Sequence, residues 1–125
     1  MPIPSDAAAE HLVVESRQRL RQWLAAHHAD APAVWVVTWK ASSGGPYVPY
    51  EDIVEEALCF GWVDSKVRRL DDARTSTLLT PRRHRSAWSA SNVARVDRLT
   101  AAGLMAPAGL AAVERAKADG RWPTS

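Results

Sequence analysis

Residues 34–39, Val-Trp-Val-Val-Thr-Trp, leave the chain few ways to fold. Every side chain in this run is β-branched or aromatic, the types that fit a pleated, packed surface. The run does not alternate with polar residues, so neither of its faces is meant for water. A strand of that kind sits inside a sheet and is covered on both sides. The sequence predicts it over Ala33–Lys40, after Pro32, and Ser42-Ser43-Gly44-Gly45-Pro46 marks the loop that follows.

The remaining elements are read around this strand. Leu12, Val13, Leu20, Trp23 and Leu24 recur at helical spacing, which predicts a helix over residues 6–28 capped by Ser5 or Asp6. Pro49 suits the first turn of a second helix running to Phe60. Its buried stripe is Ile53, Val54, Ala57 and Leu58, while Glu51, Asp52, Glu55 and Glu56 fall mainly on the other side. Gly61 is placed to end it. Trp62–Arg69 and Arg74–Thr80 read as a hairpin turning at Asp71-Asp72. Alternation puts Trp62, Asp64, Lys66 and Arg68 on one face of the first strand and Val63, Ser65 and Val67 on the other. Ser89 or Ser91 caps a third helix carrying Val93, Val96 and Leu99 and ending at Gly103. Pro107 opens a fourth, with Leu110 and Val113 inward, ending at Gly120. The order α-β-α-β-β-α-α implies an α+β fold: a small, mainly antiparallel three-stranded sheet packed with about four helices.

At 125 residues and 46% hydrophobic, the chain is expected to form one domain over residues 1–125, with a core that needs no staples. Six tryptophans exceed what such a core requires, and a buried indole N–H wants a partner, so some are expected to line a cleft. The single cysteine, Cys59, excludes an internal disulfide and fits a reducing, cytoplasmic setting. At a helix C-terminus it is expected to be a buried hydrophobe and not a thiolate nucleophile. Met1–Glu10 lacks the features of a signal peptide, and no run approaches a membrane span. His11, His27, His28 and His84 show no metal spacing, and phosphate-loop, nucleotide and serine-hydrolase motifs are missing, so neither metal nor cofactor is expected.

The net charge of +2 conceals an uneven distribution. Residues 66–85 carry seven basic side chains against Asp71 and Asp72, a net of +5, while the rest has nine basic against twelve acidic, a net of −3. Such a patch fits an anionic partner or a solvated hairpin tip. Arg82 and Arg83 diverge from neighbouring positions, and an arginine fork suits carboxylate or phosphate. Ser86, Ser89 and Asn92 offer neutral hydrogen bonds, and Ser89 precedes a helix whose N-terminus favours an anion. The same residues equally describe a structural ion pair of Arg82 or Arg83 with Asp64 or Glu56, beside a simple helix cap. Trp62 and Trp88 stack on a planar ligand or an arginine, or fill the core.

Two segments are distinctive: Glu56-Ala-Leu-Cys-Phe-Gly-Trp-Val-Asp64, and Thr80-Pro-Arg-Arg83 followed by Ser86-Ala-Trp-Ser-Ala-Ser-Asn92. With Trp23-Leu24, Val34-Trp35, Lys40, Gly103-Leu104-Met105, Pro107–Leu110, Ala116-Lys117 and Gly120-Arg121-Trp122, they resemble the YdeI/OmpD-associated, or bacteriocin-protection, family over roughly residues 20–122. The family's label describes a physiological effect and implies no reaction. Its members often continue into a helical segment rich in Lys, Arg and Ile, and a role residing there is not expected of residues 1–125.

Three functions follow as expectations. The first is a small-ligand or anion-binding protein whose site is drawn from Trp62, Asp64, Arg82, Arg83, Ser86, Trp88, Ser89 and Asn92. The second is a hydrolase or transferase with Asp64 as base and Arg82 or Arg83 stabilising charge. The third is weak nucleic-acid binding through the 66–85 hairpin, without sequence specificity, since no recognition motif accompanies the charge. Symmetry about the 71–72 turn places residue 62 opposite roughly residue 81, so the two distinctive segments are expected to meet.

Overall fold

The computed structural model describes residues 9–83 and 88–123. Their elements run β1 (Glu10–Val13), α1 (Arg17–His27), β2 (Val34–Trp39), α2 (Tyr50–Cys59), β3 (Trp62–Arg69), β4 (Arg74–Pro81), α3 (Ala90–Ala101) and α4 (Pro107–Ala118). The fold is α+β, as the sequence implies, but the sheet has four strands in the order β1-β2-β4-β3. The additional strand is β1. Residues 10–13 pair parallel with Val34–Val37, and only the two other pairings are antiparallel, so the sheet is mixed. The helix expected over 6–28 is thus shorter. It begins at Arg17, capped by the Ser16 hydroxyl, which accepts from the Arg19 N–H at 3.1 Å. Leu12 belongs to the strand and Val13 is exposed.

β2 is interior to the sheet, and Val34–Thr38 are all buried. β3 and β4 form the expected hairpin. Its tip is an Asp71 turn, whose Oδ1 accepts from the N–H groups of Ala73 (3.0 Å) and Arg74 (2.8 Å). The register places Trp62 opposite Pro81, as symmetry implies, but a bulge between Asp64 and Lys66 makes it so. The extra residue there, Ser65, reverses the alternation. Val67, opposite Thr77, shares the face of Trp62 and Asp64, while Lys66 and Arg68 move to the opposite face. Simple alternation has these three the other way round.

The helices are gathered on one face. Leu12, Val34, Val36, Trp62 and Leu79 pack there with Leu20 and Leu24 of α1 and Ile53, Ala57 and Leu58 of α2. Ala9, Ala33, Trp35 and Leu78 form a smaller cluster on the other face. The Arg68 guanidinium lies 4.1 Å over the Trp35 ring. α4 packs through Gly109, Ala112, Val113 and Ala116, so the inward residue is Gly109 where Leu110 is expected, and Leu110 is exposed. A Cβ at Gly109 would stand 2.2 Å from the Cys59 carbonyl oxygen, a contact only glycine permits.

α2 is the hub of an ion-pair network. Glu56, expected to lie mainly outward, is 2% exposed and accepts from Arg17 Nε and, at 3.0 Å, from Arg21 Nη1. Arg17 also reaches Glu55 at 2.8 Å and Asp52 at 3.3 Å. Arg95 of α3 grips Glu51 with two contacts of 2.8 and 3.0 Å. A carboxylate is desolvated without great loss only when its oxygens are matched by charged donors, and Glu56 meets that condition.

Candidate functional site

The two distinctive segments do meet. Gly61 adopts φ +76°, turning the chain from α2 into β3, and its carbonyl accepts from the Arg82 N–H at 3.0 Å. The end of β4 is thereby held against the start of β3. The Arg82 guanidinium then lies 3.9 Å over the Trp88 ring, and Trp88 packs against Trp122 with centroids 5.1 Å apart. Burial lowers the Arg82 pKa, opposed by the negative charge of Asp64.

Most polar groups of this junction are committed to the fold. Asp64 Oδ2 accepts from the Tyr50 hydroxyl. Trp62 is 1% exposed, donates to the His28 carbonyl at 3.3 Å and meets Trp23 edge-on. Ser89 caps α3, accepting from Asn92 N–H at 3.1 Å, and Asn92 Oδ1 accepts from Arg95 Nη1 at 2.8 Å. Arg83 is exposed, and Ser86 lies outside the described residues. Glu56 belongs to the α1 network, so of the two expected acidic partners it is Asp64 that faces Arg82. Cys59 is fully buried, and burial together with the nearby Glu56 pushes its thiol pKa up. At the hairpin tip, Arg69 and Arg74 are paired with Asp72 and Asp71. Together with the relocation of Lys66 and Arg68, this divides the basic segment between two faces and a neutralised tip.

Tyr50 connects the junction to an open cleft of about 460 Å³. Thr38, Thr75, Thr77 and Val67 of the sheet form its floor, Tyr50 and Ile53 of α2 one wall, and Trp39, Lys40, Ala41, Tyr47 and Val48 the rim. The Ser65 bulge is what delivers Val67 to this face, where it is 56% exposed. The rim loop is held by its own hydrogen bonds. Ser43 Oγ donates to the Lys40 carbonyl at 2.7 Å and accepts from Gly45 N–H at 3.1 Å, and Val48 N–H donates to Thr38 Oγ1 at 3.3 Å. Gly45 lies flat on the Trp39 indole, where a Cβ would come within 2.5 Å of Cδ1. Desolvation and the bond to Asp64 push the Tyr50 phenol up to about 12, so at neutral pH it stays a donor anchored on Asp64.

A family model described as Domain of unknown function (DUF8412) matches residues 12–112. The chain belongs to this family. The DUF8412 match runs from the second half of β1 through the first half of α4, and so takes in the whole cleft and the junction except Trp122. No curated protein and no solved structure matches the chain significantly.

No motif in this DUF8412 sequence points to Trp39, Tyr47 or Tyr50. The available signals were the surplus of tryptophan and a Gly-Gly-Pro-Tyr loop between a buried strand and a helix. Among the described residues, no group of three or more His, Cys, Asp or Glu is placed to hold a metal, and no helix is long and apolar enough to cross a membrane.

Proposed function

We propose that this chain is a small-ligand-binding protein of the YdeI/OmpD-associated type, and that its ligand occupies the cleft beneath the 40–48 loop. The observation that carries this is the joint position of Tyr50: its ring lines a cavity of about 460 Å³ while its hydroxyl is anchored on Asp64. That volume falls within the roughly 300–1,000 Å³ of small-molecule sites, and an apolar lining with few fixed polar groups is their usual make-up. Asp64, Arg82, Trp88 and Asn92 then serve as the frame behind the binding wall, holding Tyr50 and the start of α3. The engagement of Asp64 by Tyr50 favours binding over the hydrolase or transferase reading, in which Asp64 would have to face substrate as a base. The carboxylate-paired tip arginines weigh against nucleic acid.

The test is a metabolite extract titrated into ¹⁵N-labelled protein. Binding at this site moves the Trp39 indole N–H and the amides of Gly45, Val48 and Val67. Shifts gathered instead on Arg82, Trp88 and Asn92, with the cleft unmoved, would return the site to the junction.

A further inference from the structure

The charge of the cleft narrows its ligand. Of the residues that line it, Lys40 alone is charged, and Lys40 forms no ion pair among the described residues. The arginines packed on α2 are spent: Arg95 and Arg98 hold Glu51, and Arg17 holds Asp52 and Glu55. The N-terminus of α2 adds no attraction for a second negative charge, because Glu51 and Asp52 occupy its first turn and offset the helix dipole. Asp64, directly behind Tyr50, opposes a multiply charged anion further. The same lining offers exposed apolar surface from the rings of Tyr47 and Tyr50 and from Val67.

Resting on the ligand-binding reading above, we infer that the cleft takes a monocarboxylate with a flat or branched apolar body. Its carboxylate meets Lys40, and its body covers Tyr47, Tyr50 and Val67. Phosphate esters carry one charge too many for a single lysine, and amines meet a like charge at the rim.

Three probes share one ring system and differ in charge: 2-naphthoate, 2-naphthylmethylamine and 2-naphthyl phosphate. Each is titrated at neutral pH and low salt while the Trp39 indole N–H and the Val48 and Val67 amides are followed. A solvent-accessible ion pair changes affinity by about 2- to 5-fold, so attraction in one probe and repulsion in the other separate naphthoate from the amine by roughly tenfold. The phosphate binds no more tightly than the carboxylate. Lys40→Met, at a half-buried rim position where the methionine keeps the apolar stem, keeps the spectrum of the folded chain and shrinks the carboxylate–amine gap to about twofold. An amine or phosphate that binds better than the carboxylate, or a gap that survives Lys40→Met, would overturn the inference and leave the cleft as a site for another ligand. If none of the three moves the cleft signals, the ligand-binding reading itself fails.

Discussion

Replacing Glu56 with alanine tests whether the first distinctive segment is built for stability. Its carboxylate is 2% exposed and holds Arg17 and Arg21 of α1 against α2. Removing one partner of a buried pair costs about 3–5 kcal/mol when the other charge is left stranded. Here the stranding is partial. Arg17 and Arg21 are 30% and 33% exposed, Arg17 retains Glu55 and Asp52, and Arg21 retains the Leu104 carbonyl at 2.7 Å. The cost therefore falls to about 2–3 kcal/mol. With a urea slope of about 2 kcal/mol/M, the unfolding midpoint drops by about 1–1.5 M, read by tryptophan fluorescence. Glu56→Gln keeps the volume and loses the charge, and falls between Glu56→Ala and wild type. Glu114→Ala, at an exposed position on α4, stays within about 0.5 kcal/mol. If Glu56→Ala matched Glu114→Ala, the network would contribute nothing and the segment would need another explanation.

The hydrogen bond from Arg95 holds the Glu51 carboxyl below its ordinary value of 4.5, so its stabilisation is complete above pH 4.5 and is lost as pH falls through the lower folded value. Urea midpoints measured from pH 7 to 3 therefore show a shallower acid limb in Glu51→Gln than in wild type, and identical limbs would refute the pairing. Absorbance titration at 295 nm shows a tyrosine ionising near pH 12, and that late step disappears in Tyr50→Phe and moves to lower pH in Asp64→Asn. Gly109→Ala forces a Cβ to within 2.2 Å of the Cys59 carbonyl oxygen and displaces α4. Overpacking of about 2–3 kcal/mol lowers Tm by roughly 10 °C, whereas a fall of under about 2 °C would mean that α4 is free to shift.

What the sequence disclosed were the features with local causes. The β2 run, the 62–81 hairpin, Gly61 after α2, Ser89 as a cap and Pro107 at the start of α4 all follow from propensity, turn chemistry or capping at the positions concerned. β1 stayed hidden because its partner, Val34–Val37, lies beyond an intervening helix, and Leu12 and Val13 happen to continue the spacing of α1. The bulge at Ser65 has no signature in a strand otherwise alternating well, yet it decides which of Val67, Lys66 and Arg68 faces the helices. The junction of the two segments was legible because hairpin symmetry is simple geometry. The cleft was not, because Thr38, Tyr47, Tyr50, Val67 and Thr75 come from five separate stretches and none of them carries a motif. Asp64 looked like a partner for arginine because the hairpin register brings the arginines after Pro81 back within side-chain reach of it. In three dimensions it lies in the field of Arg82, but a neutral hydroxyl from α2 is its hydrogen-bonding partner.

The central claim is that the cleft lined by Tyr47, Tyr50 and Val67 receives a ligand. A crystal structure of the protein soaked with 2-naphthoate tests it most directly. Density for the ring system is expected against Tyr47, Tyr50 and Val67, with the carboxylate beside Lys40 and the Tyr50–Asp64 bond intact. Density stacked at Arg82 and Trp88 instead, with the cleft empty, would contradict it.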